Sequence, residues 1–163
     1  IARAKWPDEL CGIDKLNGDA ISDLRTTNNT ISLWRVASEA ELPSAMLALS
    51  ASSKSSKVEH VSLVWFPEAA ILERNIRLDS ETPGDTVISD LASLHCDACE
   101  ITYKSLGDLA SVLMLELIQE KHYKRYGKAE VKKALVNAYK DKRISAEKCM
   151  PSLLDEIQKS AQL

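Results

Sequence analysis

Apolar positions change period several times along this chain, and each period predicts an element. TISLWRV (30–36) alternates, with Ile31, Leu33 and Arg35 on one side, as a strand does. AISDL (20–24) alternates weakly before it. TTNN (26–29) lies between, and asparagine tolerates the left-handed backbone of a tight turn, so a hairpin is expected over 20–36. In residues 38–53 the period becomes helical: Leu42, Ala45, Met46 and Leu49 share one face. Ser38 can cap this helix, and Glu39 and Glu41 suit its first turn. Pro43 is tolerated if the helix starts near Glu41, where no amide partner is lost. VEHVSLVWF (58–66) is almost wholly apolar from Val61 to Phe66, as in a strand covered on both faces. Strand, helix and strand over 30–66 predict a β-α-β unit with a right-handed crossover. Residues 67–74 predict a short helix opening at Pro67, 75–79 an edge strand, and 80–86 a turn.

The remainder reads as helical. Residues 103–122 are apolar nearly all round between Leu109 and Ile118; such a helix lies inside a fold or under a partner. Gly127 separates it from 128–143, where Val131, Ala134, Leu135, Ala138 and Tyr139 form one buried stripe. Ser145 can cap the next segment, and Pro151 can open a last helix with Leu153, Leu154 and Ile157 on its face. The expected class is α+β: a small sheet with a β-α-β unit in the N-terminal half, packed with a C-terminal three-helix segment.

A chain of 163 residues at 45% hydrophobic suits one domain, or one plus a small appendage, with a core that needs no disulfides. Four cysteines are too few for a disulfide scaffold, so reduced thiols and a cytoplasmic setting are expected. IARAKWPDEL has no apolar core, so no secretory segment is expected. LASVLMLELI (109–118) is too short to span a bilayer and carries Glu116, so the reading is of a soluble protein without membrane association.

LHCDACEITY (94–103) is the stretch most like a chemical motif, with His95 beside the Cys96/Cys99 pair. Structural zinc needs four ligands, and only one such pair exists; folding would have to bring Cys11, Cys149 or His122 to complete it. Asp90 upstream and Asp97 inside the pair disfavour the thiolate a redox site needs. The simpler expectation is a helix on which Cys96 and Cys99 share one face as small apolar fillers, with no metal or cofactor. The common hydrolase, nucleotide and zincin signatures are absent from the sequence. A non-enzyme is therefore expected, with an enzyme or zinc protein using His95, Cys96 and Cys99 as an alternative.

Charge is unevenly distributed. Residues 1–120 hold 10 Lys/Arg and 19 Asp/Glu, whereas 121–163 hold 11 and 5, giving net −9 and +6. This separates an acidic α/β part, 1–102, from a basic helical part, 103–163, which on length alone are expected to form one compact domain. Asp8, Glu9, Asp14, Asp19 and Asp23 form the densest acidic run. They are the candidate face for a protein partner, itself basic, reached by charge-steered docking and then burial of exposed apolar side chains. Bacterial antitoxins and immunity proteins bind in this way as a class; the analogy rests on size and charge alone. The alternative partner is nucleic acid, held by Lys121, Lys124, Arg125, Lys128, Lys132 and Lys133 within 121–143, with Tyr123, Tyr126 and Tyr139 interleaved. The helix at 128–143 and its successor would then resemble a helix-turn-helix. Tyr139 on the buried stripe and a pI near 5.7 weigh against that reading.

Overall fold

The computed structural model describes residues 7–8, 12–16, 24, 26–119 and 122–162, with side chains for Leu24, 26–117 and 122–162. Seven strands and five α-helices follow one another among these residues: β1 (Pro7–Asp8), β2 (Gly12–Leu16), β3 (Ile31–Trp34), α1 (Leu42–Ser50), β4 (Val61–Val64), α2 (Ala69–Leu72), β5 (Arg77–Asp79), β6 (His95–Cys99), α3 (Tyr103–Gln119), β7 (Tyr123–Tyr126), α4 (Lys128–Lys140) and α5 (Pro151–Ala161). Short 3-10 segments precede α1 and β6. The chain is α+β, as its periodicity predicts.

The strand–helix–strand order β3, α1, β4 also holds, but it makes no crossover within one sheet. β3 lies in a sheet of order β3-β6-β5, and β4 pairs with β7. The periodicity that marks a strand does not name its neighbour, and here each strand takes a partner from much later in the chain. β1 pairs with β2 antiparallel, and β5 pairs with β6 antiparallel in the register Arg77↔Cys99, Leu78↔Ala98, Asp79↔Asp97. β5 is an edge strand, as expected, and its rim is charged: Arg77 faces Asp79 at 3.5 Å and Glu100 at 3.3 Å. Charged side chains on an edge discourage pairing with another chain.

The chain divides into two compact units, each drawing segments from both sides of residue 102. The first comprises 1–33, 62–79 and 97–124, and the second 34–61, 80–96 and 125–163. In the first unit, α3 buries Leu109, Ala110, Leu113, Met114 and Leu117 in a core shared with Ile31, Ile71, Ile76, Ala98 and Ile101. Asn28 and Asn29 take positive φ, 53° and 59°, between Thr27 and Thr30, whose backbone groups bond each other at 3.2 and 3.1 Å. The predicted turn is therefore present, because asparagine accepts this backbone where most residues would be strained. The other arm expected for that hairpin, 20–24, lies outside the described residues except for Leu24, which is not in a strand.

In the second unit, α1 packs on α4 and on the 3-10 segment Ser89–Leu94, and α4 packs on α5. Helix α1 begins where the proline predicts, with Pro43 in its first turn, but Ser38 makes no side-chain cap. Glu41 instead accepts the Ala37 amide at 2.8 Å. Contact on two sides buries Leu47 and Ala48 beside Leu42, Ala45 and Met46, and leaves Leu49 39% exposed. Gly127 opens α4, and the Glu130 carboxylate accepts its amide at 2.8 Å, the half of a capping box that glycine can make. Of the predicted stripe of α4, Val131, Leu135 and Ala138 are buried and Ala134 and Tyr139 half-buried; in α5, Leu153 and Ile157 are buried and Leu154 half-buried. Pro151 stands in the first turn of α5, as predicted. Ser145 does not cap by its side chain; its carbonyl accepts the Lys148 and Cys149 amides. The three C-terminal helices exist, with α3 in the first unit and α4 and α5 in the second.

Candidate functional site

His95, Cys96 and Cys99 stand on strand β6, not on a helix. The helical stretch expected there stops at Leu94 as a 3-10 segment. β6 is the middle strand of its sheet, so pairing with β3 and β5 satisfies its backbone on both sides and overrides a weak local preference. On a strand, residues three apart point to opposite faces, so Cys96 and Cys99 diverge where a helix would have brought them together. All three side chains are buried. The His95 Nδ1 lies 2.9 Å from the Thr82 carbonyl, and its ring meets Trp34 edge-on at 5.5 Å. Burial pushes the Cys99 thiol above its ordinary value; the Arg77 charge opposes this, while Asp79, Asp97 and Glu100 reinforce it. Burial raises Cys149 likewise. Both thiols are thus poorer nucleophiles and metal ligands at neutral pH. Among the described residues, no three His, Cys, Asp or Glu side chains gather to hold a metal ion. Cys11 lies outside the described residues.

The acidic candidates Glu9, Asp19 and Asp23 also lie outside the described residues. The backbone of Asp8 is in β1 and that of Asp14 in β2; their side chains are not described. The first unit, to which all five belong, has 9 Lys/Arg against 13 Asp/Glu, net −4, while the second has 12 against 11, net +1.

The basic candidates do not form one helical surface. Lys121 lies outside the described residues, and Lys124 and Arg125 are exposed on β7, a strand in the part of the chain whose pattern predicts helices. Lys128 lies 3.7 Å from Glu156, Lys133 is exposed, and Lys132 is half-buried. The interleaved tyrosines are engaged: Tyr126 is buried, Tyr123 contacts the Ser62 hydroxyl at 3.3 Å, and Tyr139 accepts a hydrogen bond from Gln158 at 3.1 Å. Ten residues, 141–150, separate α4 from α5, far more than the turn of about three or four in a helix-turn-helix.

A polar cleft in the second unit is a site that sequence reasoning passed over. It encloses about 400 Å³ and is lined by the end of α1 and the segment running to Val61. Its near end is fixed by Asp85, which accepts the Ser52 hydroxyl at 2.9 Å and the Ser53 amide at 3.2 Å. The buried Ala51 carbonyl accepts the Val87 amide at 2.7 Å. The far end is fixed by buried Val58, whose amide donates to Glu156 at 3.0 Å. Lys57 and Glu59 pair at 2.8 Å. By itself the serine–lysine run 52–57 is a polar tract, and Asp85 and Glu156, which shape it, are too distant in sequence to be connected with it.

In the first unit, His122 and Glu116 form a pair at 2.5 Å beside the Trp65 ring, whose centroid lies 5.7 Å from the imidazole. Helix α3 leaves apolar and aromatic side chains in water: Tyr103 is 97% exposed and Leu115 50%. No helix among the described residues is long and apolar enough to cross a membrane. Comparison with protein-family models, curated proteins and solved structures found no match to this chain.

Proposed function

We propose that this chain is a non-catalytic binding protein whose acidic unit docks a basic protein partner by charge steering, the mode by which antitoxins and immunity proteins work as a class. The observation that carries the reading is Tyr103, 97% exposed at the start of α3. Tyrosine is enriched among the few side chains that dominate protein interfaces, because its ring is large and loses little freedom on burial. Leu115, half exposed on the same helix, extends this supply of apolar surface. Helix α3 is apolar nearly all round, a pattern that calls for cover on every side, and its own core does not cover Leu115. The net charge of −4 on this unit would speed encounter with a cationic surface, and burial of Tyr103 would then hold the complex. The described cysteines Cys96, Cys99 and Cys149 are free thiols, which supports a reducing, cytoplasmic setting.

The test is affinity capture from native lysate with the wild-type chain and Tyr103→Ala as parallel baits. A specific basic chain should be retained by wild type, released by salt as screening rises, and weakened by more than about 1 kcal/mol in the variant. Wild-type bait that retains nothing, or equal retention by both baits, refutes the proposal.

A further inference from the structure

The cleft between Leu49 and Val61 has the make-up of a ligand site in its own right, independent of the protein-docking face. Three properties decide what it would take. First, it is held open by long-range bonds. Asp85 clamps Ser52 and Ser53 at one end, and Glu156 holds the Val58 amide at the other. Within the loop, the Ser55 amide donates to the Ser52 carbonyl at 3.0 Å and the Lys54 amide to the Ser52 hydroxyl at 3.2 Å. A segment fixed in this way loses less entropy when a ligand arrives.

Second, its unspent polar groups are mostly donors. Lys57 and Glu59 pair with each other, which leaves the Lys54 ammonium, whose charge also acts on Asp85 at the near end, as the remaining charge of the lining. Lys54 Nζ, the His60 ring and the hydroxyls of Ser55 and Ser56 make no hydrogen bond among the described residues, and all four residues line the cleft. An ammonium, hydroxyls and an imidazole are donors suited to a multiply charged oxyanion, which offers an acceptor in each direction. Third, Leu49, left exposed where its helical spacing predicts burial, shares the lining with Val61. A volume of about 400 Å³ exceeds what a bare ion fills and lies in the range of small-molecule pockets.

We infer that this cleft binds a small organic phosphate, its phosphoryl oxygens on Lys54, Ser55, Ser56 and His60 and its apolar body against Leu49 and Val61.

Amide chemical shifts of the full chain, followed during titration with phenyl phosphate, inorganic phosphate, benzoate and, at matched ionic strength, sodium chloride, test this. Phenyl phosphate should give saturable shifts confined to residues 49–61, with inorganic phosphate weaker and chloride without effect. Lys54→Ala and His60→Ala should each weaken phenyl phosphate by about tenfold, the worth of one hydrogen bond to a charged group. Lys140→Ala, which removes an exposed charge from α4, should not. These residues are exposed, and the dispersion of each variant's spectrum reports its folding. Benzoate binding as tightly as phenyl phosphate would overturn the phosphate assignment. Equal shifts in chloride, or full affinity in both cleft variants, would overturn the site. Neither result touches Tyr103, so this proposal and the docking proposal fail separately.

Discussion

Gly84→Ala tests the packing around His95 directly. A Cβ at Gly84 would stand 2.4 Å from Trp34 Cη2, 3.0 Å from Trp34 Cζ3 and 2.8 Å from His95 Cβ. Carbon atoms in contact normally sit about 3.5–4.0 Å apart, so the added methyl is short by roughly 1 Å. The His95 Cβ is rooted in the central strand β6 and can move only with the backbone. The Trp34 ring could swing, but it is seated edge-on against the His95 ring at 5.5 Å. Gly84 does not occupy the positive-φ region that penalises alanine, so crowding alone decides the outcome. Overpacking costs about 1–3 kcal/mol. The stiffer unfolded chain returns about 0.4–1 kcal/mol. The net loss is centred on about 1.3 kcal/mol, and with a urea slope of roughly 2 kcal/mol/M the midpoint falls by about 0.6 M. Urea denaturation followed by circular dichroism measures it, and Trp34→Phe, which shortens the ring, should recover part of the loss in a double-mutant cycle. A Gly84→Ala midpoint at or above wild type would show that the assigned contacts are wrong.

Gly107→Ala should do the opposite. Its Cβ meets nothing within 4 Å in the interior of α3, so helix propensity should stabilise the chain by about 0.5–1 kcal/mol; a lower urea midpoint would contradict this. Cys99 and Cys149, buried and with raised thiol pKa, should resist iodoacetamide near pH 8 in the folded chain and react after unfolding. Peptide mass spectrometry reads this, and rapid labelling of the native protein would count against their burial. At Asp85 partial burial raises the carboxyl pKa, but hydrogen bonds from Ser53 and Ser52, with the Lys54 charge, outweigh it and leave the pKa below its ordinary value. A lowered folded pKa means stability that is present above the unfolded value of about 3.9 and is lost as pH falls through the folded one. The stability gap between wild type and Asp85→Asn should therefore shrink on acidification below about pH 4, and a gap constant with pH would refute the clamp.

What could be read from sequence is what depends on neighbours in the chain. The α+β class, the turn at Asn28–Asn29, the proline-led starts of α1 and α5, the edge strand at 77–79 and the buried stripe of α4 all arise from periodicity and from backbone preferences acting over a few residues. Partnership between strands does not. β3 and β4 have the patterns of strands, yet their sheet neighbours are β6 and β7, and nothing local records that choice. The same limit governed the candidate chemistry. The spacing of Cys96 and Cys99 means one face on a helix and two faces on a strand, and the sheet decided for the strand. The serine–lysine run 52–57 is locally no more than a polar tract, because Asp85 and Glu156, which turn it into a cleft, lie tens of residues away. Side-chain type and local backbone are properties of the sequence, whereas convergence of groups in space depends on long-range pairing, whose energy is spread over the whole chain.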